Sequence, residues 1–270
     1  MAEPSRPLVE ARDLVVGYGG SAPVLRGVSM SIAPGEVVGI VGESGSGKTT
    51  LGRALLGLVR PSAGVVRFDG ADIAGLGEAR LRPLRRRMQM IFQDPMASLN
   101  PRHTLRRILT APLRLHGIAR TARDAEATAA AMLGRVGLPA AVLARYPHEL
   151  SGGQRQRVGI ARAVLLRPDF VLADEIVSGL DVSTQAQVLG LIGDLSREMG
   201  LAMAFISHDL SVIRAVCRRV VVMRGGEVAE AGDCETVFAR PASPYTRALI
   251  EAIPLPEPDP NWLARAPSPA

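Results

Sequence analysis

The 270 residues are 47% hydrophobic and 21% charged, which excludes a wholly disordered chain, a collagen-like repeat and a coiled coil. The length fits one large domain or a core with an inserted lobe. Lys48 is the single lysine among 32 lysine and arginine residues. The chain has two cysteines, which are too few for a disulfide framework, and this indicates a reducing compartment.

A net charge of +6 raises the alternative of a nucleic-acid partner. The arginines are dispersed, however, with their densest run at 85–87, so we expect no nucleic acid partner. No stretch reaches the roughly 18 consecutive apolar residues of a membrane span, and the chain opens without an apolar signal segment. We therefore expect a soluble, cytoplasmic protein that needs another subunit if it works at a membrane.

Short β-rich runs separated by glycine and proline open the chain. They cover residues 8–16, 24–32 and 36–41, and strands at 64–68 and 88–92 follow the helix expected after Lys48. A helical pattern then extends from 104 to about 136. Helices and strands alternate after it, in segments at 152–166, 170–173, 183–199, 201–207, 210–217 and 219–223.

This alternation predicts an α/β layered core. The mainly helical span from about 94 to 157 is then an inserted subdomain. We expect one domain over residues 1–253, with a C-terminal extension at about 240–253. Six prolines between 254 and 270 predict a flexible, poorly packed tail.

Residues 42–49 match the pattern G-x-x-x-x-G-K-[ST], directly after one strand and before a helix. Taken alone, the match is compatible with a chance glycine-rich turn. In this context the loop's N–H groups wrap a phosphate, Lys48 reaches the outer phosphates, and Thr49 ligates Mg²⁺. The binding candidates are Gly42, Glu43, Ser44, Gly45, Ser46, Gly47, Lys48, Thr49 and Thr50.

The apolar strand at 170–173 is followed by two adjacent acids, Asp174 and Glu175. Acids also end strands without any catalytic role. In a phosphate-loop protein, Asp174 is placed to hold Mg²⁺ through water, and Glu175 to orient or deprotonate an attacking water. We therefore interpret the pair as catalytic.

A short glycine motif at 150–154, Leu-Ser-Gly-Gly-Gln, precedes an arginine-rich helix. By itself it is compatible with an N-cap serine followed by flexible glycines. The motif resembles the signature of ABC-type ATPases, and the other motifs stand in that family's order over essentially the whole chain. The resemblance implies a P-loop NTPase core of ABC ATPase type with an antiparallel β subdomain and an inserted helical subdomain. It also implies ATP and Mg²⁺ as cofactors.

The resemblance further implies roles for single residues. Tyr18 would stack on adenine, Gln93 would touch Mg²⁺ and the attacking water, and His208 would contact the γ-phosphate. Each also has an ordinary structural interpretation, as a strand-end tyrosine, a turn glutamine and a structural histidine. ATP held by one subunit would be capped by the signature of its partner, across an interface that the loop at 178–181 crosses. The residues implied there are Ser151, Gly152, Gly153, Gln154 and Asp181.

Two positions depart from the family pattern. Ile176 stands where proline usually follows the catalytic glutamate, and Gly179 stands where alanine is common. Because proline restrains the residue before it, we expect Glu175 to be held less rigidly and turnover to be slower. The acid itself is present, so we do not interpret the site as degenerate.

Segments at 92–102, 146–150 and 243–249 resemble the branch of the family that serves oligopeptide, dipeptide and nickel importers. This implies an ATPase at the cytoplasmic face of the cell membrane that never contacts the cargo. Its partners would be transmembrane permeases, an extracytoplasmic solute-binding protein, and a second ATPase subunit, either the same chain or a related one. Related branches carry glutathione or metallophores. Cys217 and Cys234 cannot supply the four ligands of an iron–sulfur centre, so we predict none.

Two other functions remain open at this point. A soluble ABC ATPase in DNA repair or translation would fit the excess of basic over acidic residues. Such proteins usually have two cassettes in one chain or a long inserted coiled coil, whereas this sequence shows one cassette and no such insertion. A regulator without turnover is disfavoured by Glu175 and His208.

Overall fold

A computed structural model describes residues 6–19 and 22–252 of the chain. The proline-rich segment predicted as a tail, 254–270, lies outside the described residues. No helix in the described part is long and apolar enough to cross a membrane.

The structure contains ten strands and ten α-helices within the described residues. The strands are β1 (Val9–Val16), β2 (Leu25–Ile32), β3 (Val37–Val41), β4 (Ala63–Phe68), β5 (Ala71–Asp72), β6 (Met88–Ile91), β7 (Phe170–Asp174), β8 (Ala202–Ile206), β9 (Arg219–Arg224) and β10 (Glu227–Asp233). The helices are α1 (Lys48–Leu55), α2 (Glu78–Arg85), α3 (Pro95–Ser98), α4 (Leu105–Leu115), α5 (Ala122–Arg135), α6 (Gly152–Val164), α7 (Val182–Met199), α8 (Leu210–Val216), α9 (Cys234–Ala239) and α10 (Pro244–Glu251).

The first sheet is antiparallel, with strand order β2-β1-β4-β5. The register between β1 and β2 shifts between Ala11 and Leu14, where Asp13 has a positive φ of 49°. Because side chains alternate between faces along a strand, this bulge changes which positions face inward. Val9 and Ala11 before it, and Leu14 and Val16 after it, are therefore all buried.

The second sheet has the order β10-β9-β3-β8-β7-β6. Strands β9, β3, β8, β7 and β6 are parallel, and β10 is an antiparallel edge strand. Every residue of β7 and β8 is buried, as expected for parallel strands covered on both faces. The predicted α/β core is therefore confirmed. Its parallel order brings the loops after β3, β6, β7 and β8 to one edge of the sheet.

The helices α3 to α6 lie between β6 and β7. Helices α3 to α5 fall in the span of about 94 to 157 predicted as an insertion, and α6 begins there but continues to Val164. The helical pattern predicted over 104–136 consists of two helices, because α4 ends at Leu115 and α5 begins at Ala122. Gly117 has a φ of 65°, which ends the first helix, and a capping box between Thr121 and Asp124 starts the second. The two helices then pack together through leucines and alanines spaced four residues apart.

Candidate active site

The loop between β3 and α1 has a backbone that only glycine adopts easily. Gly42 has a φ of 146°, and a Cβ there would lie 2.2 Å from the carbonyl oxygen of Met223. Gly47 has a φ of 101°, and a Cβ there would lie 2.8 Å from Leu25 Cδ2. The glycines thus let the loop pack closely against the end of β9 and the start of β2 and lead into the N-terminus of α1.

The loop has an exposed rim and a buried floor. Glu43, Ser44 and Gly45 are exposed, and Thr49 and Thr50 are partly buried. Ser46 is buried, and its hydroxyl has no hydrogen-bond partner in the described residues. A buried hydroxyl without a partner is uncommon in folded proteins and is one mark of a site that a ligand completes. These features fit a bound phosphate chain.

Lys48 lies on the floor of this loop. Its ammonium group donates hydrogen bonds to the carbonyl oxygens of Gly42, at 2.8 Å, and Glu43, at 2.7 Å. Burial lowers the pKa of Lys48, although the negative charges of Glu175, Asp174 and Glu43 oppose this effect. Two of its three protons are used by the loop, so one remains for a phosphate oxygen.

Asp174 ends β7 and faces the start of α1. The hydroxyl of Thr49 donates to Asp174 Oδ1 at 3.3 Å. Burial and the adjacent Glu175 raise the pKa of Asp174, against the hydrogen bond from Thr49 and the positive charges of Arg53 and Lys48. A buried carboxylate beside a hydroxyl is the kind of oxygen pair that Mg²⁺ takes together with water and phosphate.

Three residues predicted as catalytic, Glu175, Gln93 and His208, meet beside Asp174. Glu175 Oε2 accepts a hydrogen bond from the Gln93 amide at 3.0 Å and lies 3.6 Å from His208 Nδ1. Gln93 follows β6 and directly precedes Asp94, which caps α3 by accepting from the Met96 N–H. The structure thus brings together three loops from three strands.

The backbone of Glu175 is strained. Its φ is 47°, in the left-handed region, and its N–H donates to the Ile206 carbonyl at 3.0 Å. A non-glycine residue in this region costs about 1–3 kcal/mol, which the surrounding structure must supply. Ile176 next to it is only 1% exposed and packs in the core. The expected looser hold on Glu175 stays a prediction, and the buried Ile176 side chain acts against it.

Gly179 also has a conformation that explains its identity. Its φ is 76°, in the region that alanine disfavours, although no atom lies within 4 Å of an added Cβ. A methyl group would therefore add about 1 kcal/mol of backbone strain without any clash. A small polar pocket of about 130 Å³ adjoins this loop, with Glu175 and His208 in its wall.

The signature residues form the start of α6. The hydroxyl of Ser151 accepts from the Gln154 N–H at 3.3 Å, and the Gln154 side chain accepts from the Ser151 N–H at 3.0 Å. Ser151 is therefore an N-cap, and Gly152 follows it as the first helical residue. A Cβ on Gly153 would lie 2.9 Å from the methyl group of Thr184, so this glycine allows α6 and α7 to approach closely.

Asp181 caps α7 and is exposed. Its carboxylate accepts from the Thr184 N–H at 2.9 Å and from the Thr184 hydroxyl at 2.7 Å. The next residue, Val182, is 85% exposed. Within the described part of the chain, no hydrogen bond joins residues 151–154 or Asp181 to the phosphate loop.

Tyr18 lies two residues beyond β1, with 48% of its surface exposed.

One residue near the loop was not predicted as functional. The hydroxyl oxygen of Tyr245, in α10, accepts a hydrogen bond from the Glu43 N–H at 3.2 Å. In the sequence, residues 243–249 indicated only a resemblance to the importer branch. The segment carried no signal of contact with the loop, because its partner lies 202 residues away.

A glycine-rich loop at a helix N-terminus, a buried lysine and a pair of acids after a parallel strand define a phosphate-loop nucleotide-binding protein. The family model described as "ABC transporter" matches residues 25–178. A second one, described as "Oligopeptide/dipeptide transporter, C-terminal region", matches residues 229–269. The chain belongs to the ABC transporter family of ATP-binding proteins.

Relatives agree with this assignment. The chain is 53% identical over 256 residues to a Brucella ovis protein named for peptide import ATP binding, with 94% of this chain and 80% of the relative covered. It is 48% identical over 233 residues to the oligopeptide transport ATP-binding protein OppF of Salmonella typhimurium, with 86% and 70% covered.

Solved structures show the same fold. A dimeric bacterial ABC transporter cassette has a TM-score of 0.76 at 30% identity, with 84% of this chain and 98% of that chain covered. A dimer in a post-hydrolysis state, bound to ADP and Pi, has a TM-score of 0.76 at 29% identity, with the same coverage. The predicted family and fold class are therefore confirmed.

Proposed function

We propose that this protein is the ATP-hydrolysing subunit of an ABC importer for peptides. The observation that carries the proposal is the cluster of Gln93, Glu175 and His208 beside the phosphate loop, with 3.0 Å and 3.6 Å contacts to one carboxylate oxygen. The relatives named for peptide import, and the match of the C-terminal region to an oligopeptide and dipeptide transporter model, support the substrate class.

ATP binds along the loop that joins β3 to α1. Lys48 and the loop N–H groups hold the phosphates, and Tyr18 stacks on the adenine. Thr49, Asp174 and Gln93 would hold Mg²⁺, which when bound would neutralise charge on the phosphates. The Thr49–Asp174 contact of 3.3 Å supports this set, because it places the two oxygens next to each other.

Hydrolysis depends on the carboxylate of Glu175. It accepts a proton from the attacking water, which Gln93 orients through its amide. His208 lies 3.6 Å from the same oxygen and its side chain is exposed, so it is free to contact the outer phosphate. The adjoining pocket of about 130 Å³ has room for several waters.

The site is completed by a second ATPase subunit, either a copy of this chain or a related one. Ser151, Gly152, Gly153 and Gln154 lie at an accessible helix N-terminus, and Asp181 with the exposed Val182 lies beside them. A nucleotide carried by the partner would meet this surface. Permeases span the membrane, this chain works at their cytoplasmic face, and a solute-binding protein delivers the peptide, so the ATPase does not contact the cargo.

The experiment is reconstitution with candidate permease subunits and a candidate peptide-binding protein. We expect ATP hydrolysis that increases with a peptide mixture and binding protein, and peptide uptake that Glu175→Gln abolishes. An ATP hydrolysis rate that does not change when peptide is added, or that stays at the wild-type value in Glu175→Gln, would contradict the proposal.

A further inference from the structure

Tyr245, in α10, contacts the backbone of the phosphate loop. Its hydroxyl accepts from the Glu43 N–H at 3.2 Å, and its side chain is buried. The same peptide unit contains the Gly42 carbonyl, which accepts from the Lys48 ammonium at 2.8 Å. Lys48 and Tyr245 therefore hold opposite ends of one peptide group.

This arrangement fixes the orientation of that peptide. A peptide group is planar, so its N–H and C=O turn together. If the plane between Gly42 and Glu43 rotated, it would break the Tyr245 and Lys48 hydrogen bonds at once. The tyrosine hydroxyl thus stabilises the peptide orientation in which Lys48 sits on the loop floor.

The ring of Tyr245 is itself held in place by the sheet. The guanidinium of Arg224, at the end of β9, lies 4.9 Å from the ring centroid. Glu230 on β10 accepts from the N–H groups of Ala242 and Ser243, at 2.9 and 3.0 Å, and so anchors the start of α10. These contacts give the hydroxyl a defined position against the loop.

We propose that Tyr245 is a positioning residue of the ATP site, through which the docked C-terminal helix α10 raises the affinity of the phosphate loop for nucleotide. The inference rests on the proposed binding of ATP at Lys48. Affinity rises because the loop is preorganised before the phosphates arrive. By linkage, bound nucleotide strengthens the docking of α10 by the same factor.

The test is Tyr245→Phe, which removes the hydroxyl and keeps the ring against Arg224. One neutral hydrogen bond corresponds to about a three- to tenfold change in an equilibrium constant. We expect the Kd and KM for ATP to rise by about that factor, with kcat within about twofold of wild type. Tyr146→Phe is the matched control, because it removes another tyrosine hydroxyl outside the loop, and it should leave the Kd unchanged.

A second measurement separates positioning from general weakening of the fold. Amide hydrogen exchange should show that ATP slows exchange across 244–251 in the wild type, and by several-fold less in Tyr245→Phe. Thermal midpoints of the two Phe variants without nucleotide should match within a few degrees. A Kd for Tyr245→Phe equal to that of wild type, or a fall in kcat without a change in KM, would overturn the inference.

Failure of this inference can be told apart from failure of the proposed function. If Lys48→Ala loses ATP binding while Tyr245→Phe binds like the wild type, only the role of Tyr245 is wrong. If Lys48→Ala also binds normally, the loop is not the nucleotide site and both proposals fall.

Discussion

The amide of Gln93 donates a hydrogen bond to the carboxylate of Glu175 across 3.0 Å, although the two residues lie 82 positions apart. Gln93 stands at the start of the helical insertion, and Glu175 stands where the chain has returned to the sheet. A movement of the helices relative to the sheet would therefore shift the amide away from the carboxylate. We expect this contact to connect the state of the helical insertion to hydrolysis.

Replacing Gln93 tests that contact directly. Gln93→Glu removes the amide donor and places a second carboxylate beside Glu175, so two like charges face each other where a hydrogen bond was. Gln93→Leu is the neutral control, because it removes the donor without adding a charge. ATPase assays should show a lower kcat for both variants, and a larger loss for Gln93→Glu. A kcat like that of wild type in Gln93→Glu would contradict a role for this contact in hydrolysis.

Asp174 should destabilise the protein while serving the site. Burial raises the pKa of Asp174, which means that the folded protein favours the protonated carboxyl. Its contribution to the free energy of unfolding is therefore fully present below the ordinary pKa and is lost as the pH rises and the carboxyl ionises. Asp174→Asn should therefore raise the Tm without nucleotide at pH 7, and the gain should shrink as pH falls toward 3.8, the ordinary pKa of an aspartate. The same variant should hydrolyse ATP at least about 100-fold more slowly. A lower Tm at pH 7 would show that the carboxylate stabilises the free protein.

Lys48→Ala should weaken ATP binding by about 10- to 150-fold, because a charged hydrogen bond to phosphate contributes about 1.5–3 kcal/mol. Lys48→Arg should not restore binding, since the ammonium fits between two loop carbonyls at 2.7 and 2.8 Å, where a planar guanidinium does not. Calorimetry and ATPase assays measure both effects. Activity near that of wild type in Lys48→Ala would remove the phosphate-loop assignment.

Tyr18→Ala should weaken ATP binding by about 1–2 kcal/mol if its ring stacks on the adenine. Tyr18→Phe keeps the aromatic face and should bind almost like the wild type. Titration of both variants with ATP and with inorganic triphosphate isolates the base, because only ATP affinity should fall. Equal losses in the two variants would show that the hydroxyl or the fold was measured instead.

The composite site predicts a closed dimer that can be trapped. Glu175→Gln keeps the shape of the side chain but removes the basic carboxylate, so bound ATP should persist and hold two subunits together. Light scattering with ATP and Mg²⁺ should show the dimer mass. Adding Ser151→Arg should block dimer formation while ATP still binds to the monomer.

Two outcomes of that experiment differ in meaning. A dimer that forms only with a companion ATPase would show an obligate heterodimer. Closure that is unaffected by Ser151→Arg would remove the signature from the mechanism.

The sequence by itself determined the local chemistry of the site. A phosphate is bound by the backbone of one contiguous segment, so the residue spacing within 42–49 is enough to predict the phosphate-binding loop. The caps are equally local: Ser151 and Gln154 form their box within three residues. The buried strands before Asp174 and before the loop are continuous apolar runs, which made the α/β core predictable.

Only the tertiary structure decided which of these pieces meet. Strand order β3-β8-β7-β6 places Lys48, Asp174 and Gln93 at one sheet edge, and a linear pattern does not contain that order. The edge strand β10 was missed because it has one neighbour and alternates only weakly. The contact between Tyr245 and Glu43 spans 202 residues. Such contacts follow from how the sheet and its helices pack in three dimensions, and no periodicity along the chain encodes them.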